Sequence, residues 1–370
     1  MTGPAAPPTA APAPAAAPAP AAAPPGGHMA AEIDEQPAVW ERILADATST
    51  EGQVAATAAR IRSYGPHTVL LVARGSSDHA ALYAKYLIEI THGLPCGLVS
   101  PSTMTAYGAR PDLRGVLMIG VSQSGGSPDL VQSLEVARGQ GALTVAVTND
   151  ATSPLARAAE AHVDILAGRE VSVAATKSYT AQQLSLFLLL DRMSGGDGVA
   201  AQNLPDQGRL VLSQGAQVAE LASRYRFASR MVTTARGYSY PTAREAALKL
   251  METCYVSAQA FSGADLLHGP LAMIDAQLPV LTVLARGVGG DAMAPVLPRL
   301  QERGADVFCV GTAEAVARAT VGVALPEGTD ERLSPLLEIL PFQQLAHQLA
   351  LARGGDPDTP RGLSKVTETL

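Results

Sequence analysis

The stretch VLMIGVSQSGGSPDL, Val116–Leu130, holds the change of pattern on which the fold turns. A near-continuous apolar run ends at Ser122, small polar residues and two glycines follow, and Pro128 opens a helical pattern. An apolar run without alternation reads as a strand covered on both faces. A strand that turns through glycine straight into a helix is one step of a parallel βαβ sheet. Ser127 stands where an N-cap belongs and Pro128 at N1, the first helical position that tolerates proline, so a helix is expected over about 128–139.

Outward from that step the alternation repeats. Strands are predicted at TVLLVARG (68–75), PCGLVS (95–100), GVLMIGVS (115–122), ALTVAVT (142–148) and HVDILA (162–167), with a helix over about 179–193. The pattern then restarts. MVTTARGYS (231–239) echoes VLLVARGSS (69–77), and LPVLTVLAR (278–286), ADVFCVG (305–311) and VGVALP (321–326) supply later strands before a last helix at about 335–353. A repeat of that size implies an α/β fold of two similar, doubly wound, flavodoxin-like parallel-sheet subdomains rather than a solenoid of short units. The expected division is 1–28 as a disordered Ala/Pro-rich tail, 29–200 as the first subdomain and 201–370 as the second, with the boundary in Ser194–Gln207.

Composition narrows the function classes. The 370 residues are 47% hydrophobic with a net charge of −7, which leaves no basic excess for nucleic acid. The longest apolar runs, such as LSLFLLL (184–190), are too short to cross a bilayer. Cys96, Cys254 and Cys309 lie far apart without ligand spacing, which argues against a disulfide framework or zinc site and for a reducing cytoplasm. The first Lys or Arg is Arg42, so the Ala/Pro segment lacks the charged start of a secretory leader.

Ser122, Ser124 and Ser127 crowd a helix amino end, where amides and dipole attract an anion, and Gly125 and Gly126 allow close approach. Neither a Gly-Lys-Ser/Thr loop nor GxGxxG is present. The loop suits a single phosphate on a small molecule, held by neutral donors; the plainer reading is a well-capped turn. Gly75-Ser76-Ser77 ends an adjacent strand in this topology and can converge on the same spot. In PTAREAALKLMETC (241–254), Glu245, Lys249 and Glu252 share one helix face. By residue type this is a charged solvent face, with Thr242 and Glu245 as a capping box. His268, beside leucines and a Gly-Pro turn, reads as structural by itself, and Lys365 near the chain end as solvated.

Taken together, MAAEIDEQP (29–37), RGSSDHA (74–80), VSQSGGSPD (121–129), VAATKSYTAQ (173–182), EAALKLMETCY (245–255), LLHGPLAMID (266–275) and PRGLSKVT (360–367) resemble the sugar isomerase (SIS) family. The likeness is strongest to the isomerase half of glucosamine-6-phosphate synthase and its deaminase relatives. The resemblance implies that Ser76, Ser77, Ser122, Gln123, Ser124 and Ser127 surround a sugar phosphate and that Val173 and Ala175 touch the sugar. It implies that Glu252 moves a proton between C1 and C2 and that His268, reaching in from a second subunit of a homodimer, assists ring opening. Lys365 matches a lysine able to form a Schiff base, and Glu245 and Lys249 match orienting positions. No metal or nicotinamide cofactor is required.

Gly126 stands where the synthase has a glutamate and Ala175 where it has a serine. The Ala/Pro tail stands where the synthase carries its glutaminase domain, so no glutaminase activity is expected. The leading expectation is a deaminase/isomerase converting glucosamine 6-phosphate, or a close relative, to fructose 6-phosphate and ammonia. The alternatives are a dehydratase of an amino or N-acetylamino sugar phosphate, a plain aldose–ketose phosphosugar isomerase, and a non-catalytic sugar-phosphate sensor.

Overall fold

The computed structural model describes residues 1–3, 24–49 and 52–365. Among these residues, ten strands form two parallel sheets. The first contains β1 Thr68–Val72, β2 Cys96–Leu98, β3 Val116–Val121, β4 Leu143–Thr148 and β5 Ala161–Asp164, in the order β2-β1-β3-β4-β5. The second contains β6 Arg230–Ala235, β7 Ser257–Ser262, β8 Val280–Leu284, β9 Val307–Gly311 and β10 Val321–Ala324, in the order β10-β9-β8-β6-β7. Read from its other edge, the second sheet has the order of the first. The repeat extends to single dihedrals. Arg74 lies at φ −142°, ψ 154° and Arg236 at φ −144°, ψ 157°, each followed by a left-handed glycine, Gly75 at φ 55° and Gly237 at φ 61°.

The helices that matter for function are α1 Gly27–Asp34, α2 Gln36–Thr48, α3 Gly75–Leu87, α4 Pro128–Gly139, α5 Lys177–Met193, α6 Tyr240–Cys254, α7 Gly263–Leu267 and α8 Ser334–Ala352. Helix α3 packs on α5 and α6, and α6 packs on α8, so these helices fill the space between the sheets. The main core is continuous through this layer, joining Leu117, Ile119 and Val121 of β3 to Tyr83, Leu186, Leu250, Leu340 and Val310. Residues 177–190 are buried all round, the apolar second half by packing and the polar first half through partners such as Glu35 for Lys177, Glu170 for Ser178 and Gln36 for Thr180. Separate clusters cover the outer faces, Leu130, Leu134 and Leu155 on the first sheet and Leu266, Val296 and Leu300 on the second.

Most of the segment read as a disordered tail lies outside the described residues. Within them the fold begins before residue 29: helix α1 starts at Gly27, and the N–H groups of Gly26 and His28 donate to Asp356 and Asp358 at 2.9 Å each. Strand β7 was not legible. SAQAFS lacks β-branched residues, and as an edge strand with Ser257 and Gln259 exposed it shows no apolar run.

Candidate active site

Strands β1 and β3 are adjacent and in register, Thr68 opposite Val116 through Val72 opposite Gly120, so the loops after them lie side by side at the carboxyl edge. Ser122 Oγ accepts the Gly125 N–H at 3.1 Å and Ser124 Oγ the Gly126 N–H at 3.2 Å. Each hydroxyl thus stiffens the loop while keeping its proton for another acceptor. Ser127 occupies the N-cap position of α4, yet its hydroxyl makes no capping bond. Gly125 has φ +61°, and a Cβ there would run into the Ser153 side chain, so only glycine lets the loop turn.

These loops wall a cavity of about 330 Å³. Ser76, Ser77, Ser122, Gln123, Ser124 and Ser127 line it together with Val173, Ala175, Glu252 and Lys365. Glu245 and Lys249 stand behind it, completely buried. The charged solvent face expected for α6 is therefore wrong, because α6 is packed between α3 and α8. The capping box is absent as well: the Thr242 hydroxyl donates to Glu338 Oε2 on α8 at 2.9 Å, and Glu245 turns to the other repeat.

There Glu245 Oε1 accepts from Ser76 Oγ at 2.8 Å, and Oε2 meets His79 Nδ1 at 2.7 Å. The Lys249 ammonium lies 3.4 Å from Glu245, 2.6 Å from Glu252 Oε2 and 3.1 Å from Ser76 Oγ. Burial pushes Glu245 upward, but the Lys249 charge and the His79 and Ser76 hydrogen bonds outweigh it and hold the carboxyl below its ordinary range. Burial likewise opposes the Lys249 charge, and the two carboxylates overcome it, raising that lysine above its ordinary value. Glu252 alone of the three reaches the cavity, with 23% of its side chain exposed.

Lys365 is not a freely solvated terminal lysine. Its ammonium donates to Glu170 Oε2 at 2.8 Å and to the Ser172 carbonyl at 2.6 Å. Glu170 is fully buried; burial raises it, while Lys365 and hydrogen bonds from Ser178 more than reverse the effect and leave it below the ordinary range. His268 is exposed at the end of α7 and lies outside the cavity of this chain.

Reading the sequence missed Glu170, His79, Arg74 and Asp129. Arg74 Nη2 reaches Asp129 Oδ2 at 2.7 Å and Arg74 lines the cavity. Arg74 and His79 both fall inside RGSSDHA, and Asp129 inside VSQSGGSPD, so the motifs contained them without marking their partners. Glu170 carries no local signal.

The SIS domain family model matches residues 64–192 and 225–353, the spans of the two sheets. The chain belongs to the SIS domain family. It is 34% identical over 355 residues to glutamine–fructose-6-phosphate aminotransferase [isomerizing] of Gloeobacter violaceus, across 91% of this chain and 58% of that protein. The SIS chain thus spans about 58% of the length of such curated relatives. A solved structure from Silicibacter pomeroyi DSS-3, described as a candidate phosphosugar isomerase, is 36% identical with a TM-score of 0.81, covering 90% of this chain and 99% of that one. Glucosamine-6-phosphate deaminase of Thermotoga maritima shares the SIS fold at 21% identity and a TM-score of 0.73, over 92% of this chain and 100% of its own.

Proposed function

We propose that this SIS protein is a phosphosugar enzyme that opens a hexosamine 6-phosphate, moves a proton between C1 and C2, and releases ammonia to leave a ketohexose 6-phosphate. One observation carries the reading: a single cavity holds both the hydroxyl-lined loops and the Glu252 carboxylate, which is backed by a buried ammonium at 2.6 Å. The serine loops hold the phosphate by neutral hydrogen bonds at the α4 amino end. Glu252 takes the proton from C2 of the open-chain aldose and returns it to C1, so the C2 amine becomes an imine. Water adds to that imine, and ammonia leaves. Proton transfer by a positioned carboxylate contributes about 10²–10⁴-fold. Lys249, locked between two carboxylates, acts as a fixed charge beside Glu252 rather than as a nucleophile.

His268 of a partner subunit completes ring opening in a homodimer, which accords with its exposed position at the end of α7. Burial pushes the thiols of Cys96, Cys254 and Cys309 up to about 12, 11 and 12, so none is an activated thiolate. Three unpaired cysteines fit the reducing cytoplasm.

Incubation with glucosamine 6-phosphate is expected to yield ammonia and fructose 6-phosphate in equal amounts; no ammonia above background rejects the deaminase reading. A plain aldose–ketose isomerase is the second reading, since Glu252 can serve C1 and C2 whatever C2 carries. It is supported if hexose 6-phosphates interconvert without ammonia.

A further inference from the structure

Arg74 and Asp129 bracket the two serine loops. Arg74 immediately precedes Gly75-Ser76-Ser77, and Asp129 follows Ser127-Pro128. The Arg74 side chain is 52% exposed and lines the cavity, whereas the Asp129 side chain is 2% exposed. Arg74 Nε and Nη2 both donate to Asp129 Oδ2, at 2.9 and 2.7 Å, and Asp129 Oδ1 accepts the Leu130 N–H at 2.9 Å. A buried carboxylate in the first turn of α4 satisfies the helix but has the wrong sign for an anion bound at the same amino end.

We infer that Arg74 determines whether this cavity accepts a phosphorylated ligand, by cancelling the charge of the buried Asp129 carboxylate beside it. The inference rests on the sugar-phosphate reading of the cavity. The second repeat supplies an internal comparison. Arg236 repeats the backbone of Arg74, but Gly289 stands at the second helical position, where α4 has Asp129. There the N–H groups of Val288 and Gly289 donate to Glu331 at 3.1 and 2.7 Å, so a carboxylate of the chain itself takes the amides. In the first repeat the acid is instead turned aside and paired with Arg74.

The test is calorimetric titration of the full chain with inorganic phosphate and with glucosamine 6-phosphate, for wild type, Arg74→Gln, Asp129→Asn and the double variant. Arg74→Gln leaves an uncompensated negative charge and is expected to weaken both ligands about 10–100-fold. Asp129→Asn frees the guanidinium charge and is expected to tighten them about 3–10-fold. The double variant should return to within about 3-fold of wild type. The differences should shrink as salt rises from about 0.05 to 0.5 M, because the cavity is open to solvent.

A double variant as weak as Arg74→Gln overturns the inference in favour of direct ligation. Weakening by both single variants also overturns it, since that is the signature of a staple that only holds the loops. Should circular dichroism show Arg74→Gln unfolded, the direction of the Asp129→Asn change and the recovery in the double variant still decide. Absence of phosphate binding by wild type overturns the sugar-phosphate reading together with this inference, whereas wild-type binding with the wrong ordering overturns the inference alone.

Discussion

Lys249 is a cation enclosed by protein, with Glu245 on one side and Glu252 on the other. Removing it leaves buried Glu245 with only His79 and Ser76 as partners, and breaking a buried ion pair costs about 3–5 kcal/mol. Lys249→Met should therefore lower the urea midpoint sharply, and Lys249→Met with Glu245→Gln should recover part of the loss. Because Glu245 is held below its ordinary value of 4.5, its interactions contribute fully above that pH and are lost as pH falls through the lower folded value. Acid unfolding of Glu245→Gln should show a shallower limb below pH 4.5. Glu252 faces the cavity, so Glu252→Gln is expected to reduce turnover by about 10²–10⁴-fold while phosphosugar binding persists in calorimetry. Intact turnover in that variant would remove Glu252 from the chemistry.

Between elements, the contact of α6 with α8 carries its own titration. Glu338 is fully buried on α8, and burial pushes it up to about 7 despite hydroxyls donated by Ser334, Ser239 and Thr242. Between its ordinary 4.5 and about 7 the folded chain holds a proton that the unfolded chain has released. Stability conferred by that proton is complete below the lower value and is lost as pH rises through the upper one. Glu338→Gln should thus gain about 3 kcal/mol over wild type at pH 8 and little at pH 4, read from urea curves at both. The loop before α4 is equally exacting. Gly125→Ala meets the Ser153 side chain in a left-handed backbone and is expected to abolish phosphate binding before it unfolds the sheet.

For the whole molecule, the proposed C2 dimer with shared sites makes a counting prediction. Glu252→Gln and His268→Ala dimers, each inactive, should regain about a quarter of wild-type activity after subunit exchange, since random mixing makes half the dimers mixed and one of their two sites intact. No recovery, with exchange confirmed by native mass spectrometry, would place His268 outside the partner's site.

By itself the sequence determined the two βα repeats, the placement of most strands, and the hydroxyl-rich turns at Gly75–Ser77 and Ser122–Ser127. Those features are written in local periodicity and in turn chemistry, which depend on neighbours a few residues away. Only the tertiary structure decided the burial of Glu245 and Lys249, the retention of Lys365 by Glu170, and the pairing of Arg74 with Asp129. His79 and Glu245 are 166 residues apart, and Lys365 and Glu170 are separated by 195. A charge on a helix face looks the same in sequence whether water or another helix covers it. Which of the two applies depends on how the sheets and their helices stack, and that packing gives these side chains their partners and their protonation states.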